Sequence, residues 1–150
     1  MAKERFVYAI YIAASPEKIF HALTDRKTSG QYWFHENVSD WKVGSMWEHR
    51  RLDGSASDVV GRVVESDPPR RLVTTWSPPG KLDDPAETSR VTFEIETVGA
   101  ASRLTVTHDD LPPEQLADAA AGWSSVLSSL KSLLETGRSL GDLGGGRHAA

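Results

Sequence analysis

The chain has 150 residues, of which 39% are hydrophobic and 25% are charged, with a formal net charge of −4 and no cysteine. This composition is typical of one globular domain with its own core, and the lack of cysteine excludes disulfides, thiolate metal ligands and thiol nucleophiles. The acidic balance argues against a nucleic-acid partner, since phosphate binding needs a concentrated basic surface.

Targeting and membrane signals are missing from the sequence. Residues 1–15 contain no long apolar run of the kind that a secretion signal requires. No stretch of about twenty apolar residues is present that could span a bilayer. We therefore expect a cytoplasmic protein that does not associate with membranes.

The first part of the chain combines a strand with two short helices. Residues 6–13 alternate with a period of two and are apolar on both faces, which predicts a first strand in the interior of a sheet. Ser15 and Pro16 are typical of a helix start, because serine caps the first turn and proline fits its first position. A second short helix is predicted near 26–32, with an interruption at Gly30.

Five further strands are predicted, and turns rich in glycine, proline and aspartate separate them. They span residues 45–51, 58–66, 71–76, 90–98 and 103–108. Strands that follow one another in this way are expected to pair antiparallel. The connection 77–89 contains three prolines and is the longest interior loop, so we expect it to form a mobile rim over an opening.

One long amphipathic helix is predicted within residues 122–138, and Gly137 is well placed to end it. Its apolar stripe consists of Trp123, Val126, Leu127, Leu130, Leu133 and Leu134. The alanine-rich segment 116–121 is interpreted as a separate turn that breaks near Gly122. Residues 141–150 are expected to form a flexible tail, which leaves residues 1–140 as the domain.

These elements together predict an α+β fold. One strand, two short helices, a run of antiparallel strands and one long helix form a layered arrangement in which a curved sheet wraps around the last helix. The space between helix and sheet can be a packed core or a cavity for an apolar ligand. The two alternatives imply different functions.

Five segments of the sequence carry a resemblance to a known superfamily. They are IAASPEKIFHALTD at 12–25, GRVVESDPPRRLVTTW at 61–76, SRVTFEIE at 89–96, SRLTVTH at 102–108 and GWSSVLSSLKSLLETG at 122–137. With them the chain resembles the START-like, helix-grip superfamily, in the branch named after activators of the heat-shock chaperone ATPase and often grouped with polyketide cyclases. The resemblance implies a helix-grip fold and covers most of residues 5–138.

The same resemblance implies several classes of function, because the superfamily includes lipid carriers, hormone receptors, aromatase/cyclases and chaperone regulators. The leading hypothesis is a protein that binds a small hydrophobic or aromatic ligand, which is lipid-, polyketide- or flavonoid-like, between the last helix and the sheet. The second is a cyclase- or dehydratase-like enzyme. The third is an interaction module that regulates a chaperone. A homodimer is also expected, since homodimers are common among soluble proteins.

The residues expected to line a ligand cavity are mostly aromatic. They are Trp33, Trp47, His49, Trp76, Phe93, His108, Trp123 and Leu127. Apolar contact with these side chains would give affinity, and their indole and imidazole groups would orient the ligand. The alternative interpretation is that the five tryptophans of the chain form a packed aromatic core.

His108 is the first candidate for a catalytic residue, and His49, two positions from Trp47 on one strand face, has a similar claim. Strand alternation places His108 on the apolar face with Leu104 and Val106, where it could hydrogen-bond a ligand or transfer a proton. A backbone carbonyl or a water would satisfy it equally well. The five histidines do not have the spacing of a metal site, and His35 is expected in a loop, so the sequence predicts neither a metal nor a cofactor.

Overall fold

The computed structural model describes residues 2–143. Its strands and helices are β1 Glu4–Ile12, α1 Pro16–Thr24, α2 Arg26–Trp33, β2 His35–Val38, β3 Met46–Arg51, β4 Ser57–Asp67, β5 Arg71–Trp76, β6 Ser89–Val98, β7 Ala101–Leu111 and α3 Leu116–Thr136. A 3-10 turn, Pro113–Gln115, leads into α3. Of the tail expected at 141–150, residues 144–150 lie outside the described residues, and 141–143 have no regular structure.

The strands form one seven-stranded sheet in the order β1-β7-β6-β5-β4-β3-β2. Every neighbouring pair is antiparallel. The sheet is curved, and α3 packs across it with α1 and α2 beside it. The α+β fold expected from the sequence is confirmed.

β1 lies at an edge of the sheet, so the interior position expected for it is wrong. Phe6, Tyr8 and Ile10 pack against the core from one face. On the other face Val7 and Tyr11 are about half exposed. The apolar residues on both faces indicated a buried strand, but the outer face has no layer above it.

The two short helices are stabilised by side-chain caps. Ser15 Oγ accepts a hydrogen bond from the Lys18 backbone N–H at 3.2 Å, with Pro16 at the first helical position. Asp25 begins α2, where it accepts from the Thr28 backbone N–H at 2.9 Å, and this bond lowers the pKa of the Asp25 carboxyl. The interruption expected at Gly30 is wrong, because α2 continues through it to Trp33.

The chain between α2 and β3 forms a short strand that the sequence did not indicate. Phe34 adopts a left-handed conformation with φ 58°, which turns the chain out of α2. β2 then pairs with β3, and His35 lies opposite Arg51. The placement of His35 in a loop is therefore wrong.

α3 is one continuous helix that buries its apolar stripe against the sheet. Trp123, Leu127 and Leu130 are fully buried, as the spacing predicted. The break expected near Gly122 is wrong, since this residue is buried within the helix. Gly137 ends α3 with φ 83°, and its N–H donates to the Leu133 carbonyl at 2.9 Å, as expected. Within residues 2–143, α3 and the shorter helices lack the combination of length and apolarity that a membrane span needs.

Candidate functional site

An aromatic cluster occupies the space between α3 and the centre of the sheet. We use this name for Trp33, Trp47, His49, Trp76, Phe93, His108 and Trp123. Each member comes from a different element, except that Trp47 and His49 are two residues apart and so share one face of β3. The cluster is where α2, α3 and strands β3, β5, β6 and β7 converge.

Trp76 is the centre of this cluster. Its ring centroid lies 5.3 Å from that of Trp123, 5.4 Å from Trp47 and 5.5 Å from His108. Trp33 and His49 follow at 6.1 Å and 6.0 Å. These tilted and edge-on contacts are the preferred geometries of packed aromatic rings.

The middle of the helix–sheet space is consequently filled. No member of the cluster is more than 5% exposed, and Leu127 behind it is fully buried. The void that remains among these rings has a volume of about 10 Å³. In this region the packed aromatic core, which was the alternative interpretation of the tryptophans, describes the structure.

A cavity of about 300 Å³ lies beside the cluster, at the N-terminal end of α3. Its walls come from the start of α3, the end of β7 and the 77–89 connection. The apolar lining residues are Val59, Trp76, Pro78, Leu111, Pro112 and Ala119, and the polar or charged ones are Lys3, Asp58, Ser77, Glu87, Thr88, Ser89, His108, Asp110, Gln115 and Asp118. The 77–89 connection therefore borders an opening, as the sequence indicated.

Two of the eight residues expected to bind a ligand, Trp76 and His108, line this cavity. The other six, which are Trp33, Trp47, His49, Phe93, Trp123 and Leu127, lie in the packed region behind it. Sequence reasoning missed Ser89 and Leu111, which face the same cavity. The signal that could have found Ser89 is its position at the start of β6, directly after the loop expected to form the rim.

His108 is held between Trp123 and Ser89. The Trp123 Nε1–H donates to His108 Nδ1 at 3.0 Å. Because an indole nitrogen can only donate, His108 Nδ1 carries no proton, and Nε2–H must donate to Ser89 Oγ at 2.8 Å. Burial lowers the pKa of His108 to about 4, so the imidazole is neutral at pH 7.

This pairing restricts the chemistry of His108. A proton added at Nδ1 would face the Trp123 N–H, and a proton removed from Nε2 would leave an imidazolate. His108 is therefore a hydrogen-bond donor to Ser89 and is not poised to transfer a proton near neutral pH. With its oxygen accepting from His108, the Ser89 hydroxyl is free to donate, either to the Trp76 carbonyl 3.4 Å away or into the cavity.

A second polar pair lies on β3 and β2. His49 Nδ1 is 2.7 Å from Asn37 Oδ1, and Asn37 Nδ2 donates to the Leu23 carbonyl at 3.0 Å. This orientation makes the Asn37 oxygen an acceptor, so His49 Nδ1 carries the proton. Nε2 is then an acceptor, and it has no hydrogen-bond partner within residues 2–143. Burial, together with the neighbouring His35, holds the pKa of His49 well below its usual range.

His35 connects this pair to the edge of the cavity. Its ring stacks on His49 with centroids 4.1 Å apart, and its Nε2 lies 2.7 Å from Asp58 Oδ2. Hydrogen bonds from Arg51 and His35 lower the pKa of the Asp58 carboxyl, which is one of the groups lining the cavity. Among residues 2–143, no three histidine or carboxylate side chains converge to form a metal site.

A family model described as "Activator of Hsp90 ATPase homolog 1-like protein" matches residues 13–135. The chain belongs to this family. The resemblance to the START-like, helix-grip superfamily that the five segments carried is thereby confirmed. A comparison with proteins of curated function found none that matches this Hsp90-activator-like chain.

Solved structures share the fold of this family member. The Aha1 dimer from Colwellia psychrerythraea is 26% identical, with a TM-score of 0.74, and the match covers 89% of this chain and 98% of that one. CalU16 from Micromonospora echinospora is 21% identical, with a TM-score of 0.71 over 89% and 77% of the two chains. PFC0360w, an HSP90 activator from Plasmodium falciparum, is 23% identical, with a TM-score of 0.60 over 93% and 92%. The helix-grip arrangement is common to all of them.

Proposed function

We propose that the protein binds a small hydrophobic or aromatic molecule, which is lipid-, polyketide- or flavonoid-like, in the cavity at the N-terminal end of α3. The observation that carries this proposal is the cavity itself. Its volume of about 300 Å³ is at the lower end of ligand pockets in proteins, and its wall combines apolar side chains such as Trp76 with polar groups such as Ser89 and charged groups such as Asp58.

Trp76, His108 and Ser89 have distinct roles in this proposal. The Trp76 ring gives the ligand an apolar surface. His108 orients the Ser89 hydroxyl, which donates a hydrogen bond to an acceptor oxygen of the ligand. The six expected residues that do not reach the cavity are buried and pack behind Trp76 and His108.

NMR shift mapping with flavonoid-, polyketide- and lipid-like compounds tests the proposal. A ligand in the cavity is expected to shift the Trp76 indole N–H, the His108 ring and the amides of residues 77–89. Ser89→Ala should weaken binding of an oxygen-bearing ligand roughly tenfold, since one hydrogen bond is lost. Ser128→Ala, on the outer side of α3, is the matched control and should bind as the wild type does. Shifts confined to the opposite end of α3, or none, would overturn the proposal.

The cyclase- or dehydratase-like alternative has less support. It required His108 to move a proton during turnover, yet both ring nitrogens of His108 are engaged and its pKa is lowered to about 4. We therefore do not propose an enzymatic reaction.

We also propose that the protein self-associates as a homodimer, as the name of the Colwellia relative says of that protein. β1 supports this, because it is hydrogen-bonded to a single neighbouring strand and exposes Val7 and Tyr11 on its outer face. Light scattering should give twice the chain mass, and Val7→Lys should reduce it. A monomer at all concentrations contradicts the proposal.

A chaperone partner is supported by the names of relatives alone, and a pull-down with purified chaperone tests it.

A further inference from the structure

The five tryptophans of the chain differ in whether their indole N–H is hydrogen-bonded. Trp41 donates to the Thr24 carbonyl at 2.8 Å, Trp47 to the Thr75 carbonyl at 2.9 Å and Trp123 to His108 at 3.0 Å. Trp33 and Trp76 have no hydrogen-bond partner for Nε1 within residues 2–143, although both are almost fully buried. Buried donors of this kind are rare, because each loses its bond to water on folding.

Two more buried polar atoms without a partner in the described residues lie beside these indoles: Thr74 Oγ1 and His49 Nε2. The His49 ring centroid is 4.8 Å from that of Trp33 and 6.0 Å from that of Trp76. Thr74 precedes Trp76 by two residues on β5 and therefore shares its face. Trp33, Thr74 and Trp76 also line the void of about 10 Å³. We call this space the polar void, and the His49 ring packs against two of the residues that line it.

The four atoms define the chemistry of a guest. The two indoles only donate, His49 Nε2 only accepts because Nδ1 carries the proton, and the Thr74 hydroxyl can do either. A neutral hydroxyl oxygen accepts from both indoles and donates its hydrogen to His49 or Thr74. Three other kinds of guest fit less well. A carbonyl oxygen has no hydrogen to donate to His49. The two indole N–H groups repel a cation, and the His49 lone pair repels an anion.

We propose that the polar void binds one neutral hydroxyl oxygen. In the free protein this oxygen belongs to a water molecule, for which about 10 Å³ is just sufficient. Trp76 lines both the polar void and the larger cavity, so its side chain borders both spaces. Within residues 2–143 no protein group accepts from the Trp76 N–H. When this ring turns, a ligand hydroxyl group replaces the water. This second step rests on the proposed function.

The water is tested in the free protein. Cross-peaks between water and the indole N–H are expected in NMR spectra for Trp33 and Trp76, whereas Trp47, bonded to a carbonyl, is the control and should give none. Thr74→Val should lower the urea midpoint, because the water loses a partner. In an empty void the same change would raise the midpoint by removing an unpaired hydroxyl. A raised midpoint without cross-peaks overturns the proposal.

Thr75→Val is the control for the change in urea midpoint that Thr74→Val causes. Thr75 Oγ1 accepts a hydrogen bond from the Arg62 backbone N–H at 2.8 Å on the other face of β5. Thr75→Val therefore loses one direct hydrogen bond and should lower the midpoint. The two valine variants should shift the midpoint in the same direction if Thr74 is hydrogen-bonded to water, and in opposite directions if the void is empty.

The ligand hydroxyl is tested with 2-naphthol and 2-methylnaphthalene, which have nearly the same shape. The wild type should bind 2-naphthol roughly tenfold more tightly, with loss of the water cross-peaks, and Thr74→Val should remove this preference. A preference that survives Thr74→Val places the hydroxyl at Ser89 and overturns the second step. Equal binding of both compounds also overturns the second step, but it leaves the proposed function standing. If neither compound binds, the proposed function fails and the polar void holds water alone.

Discussion

His108 should make the protein less stable in mildly acidic solution. The unfolded chain protonates this histidine near its usual pKa of 6.5, whereas the folded protein resists protonation down to about pH 4, chiefly because the ring is buried. Above pH 6.5 the ring is neutral in both states and has no effect on stability. Between pH 6.5 and 4 only the unfolded state binds the proton, so the free energy of unfolding falls as the pH falls.

The size of this effect follows from the two pKa values. Each pH unit between them is worth about 1.4 kcal/mol, so the full loss is roughly 3 kcal/mol. Most of it, roughly 2 kcal/mol, should already be lost between pH 7 and pH 4.5. A domain whose total stability is of order 5–15 kcal/mol loses a substantial part of it in this range.

Urea unfolding followed by tryptophan fluorescence measures this loss. The wild type and His108→Gln are compared at several pH values between 7 and 4.5, since glutamine retains an amide donor but does not titrate. The carboxylates and the other histidines contribute to both proteins, so the difference between their pH slopes isolates His108. Equal slopes for the two proteins would refute the reasoning, whatever the absolute stability of the variant.

Two further predictions concern the packing of the cluster. Gly61→Ala should destabilise the protein by about 2–4 kcal/mol in urea unfolding, because a Cβ there would overlap a backbone oxygen of β5 and the Trp47 indole nitrogen. Gly30→Ala is the control, since its Cβ meets side-chain atoms alone, Leu52 Cδ2 at 3.2 Å and Glu36 Cγ at 3.6 Å. Helix propensity should then raise stability by up to about 1 kcal/mol. Trp123→Phe should release His108 Nδ1 to take either tautomer, which imidazole ¹⁵N shifts report. An unchanged tautomer would contradict the assignment.

Local sequence signals were sufficient for most of the fold. The caps at Ser15 and Gly137 and the apolar stripe around Leu127 are properties of short segments, and the structure has each of them. β2 was missed because four residues of mixed polarity show no alternation, and its strand state depends on pairing with β3. The edge position of β1 was missed for a related reason, since apolarity on two faces does not reveal which face another layer covers.

The candidate site could be predicted only in part. Alternation along β7 placed His108 on the inner face, and the composition of the 77–89 connection indicated an opening beside it. Whether the aromatic side chains enclose a cavity or fill it depends on how rings from six elements fit together, which no local pattern records. The contact between Trp123 and His108 likewise joins a helix to a strand across 15 residues of sequence.

His49 and His108 show how partners decide the chemistry of a residue type. Both are buried histidines in one aromatic cluster, and burial lowers the pKa of each. Trp123 donates to His108 and thereby makes it a donor, whereas Asn37 accepts from His49 and leaves it an acceptor. The two side chains are chemically identical, so the difference in their hydrogen-bonding direction comes from their partners. The hydrogen-bonding direction of each histidine is therefore set by the indole of Trp123 and the amide of Asn37, neither of which lines the larger cavity.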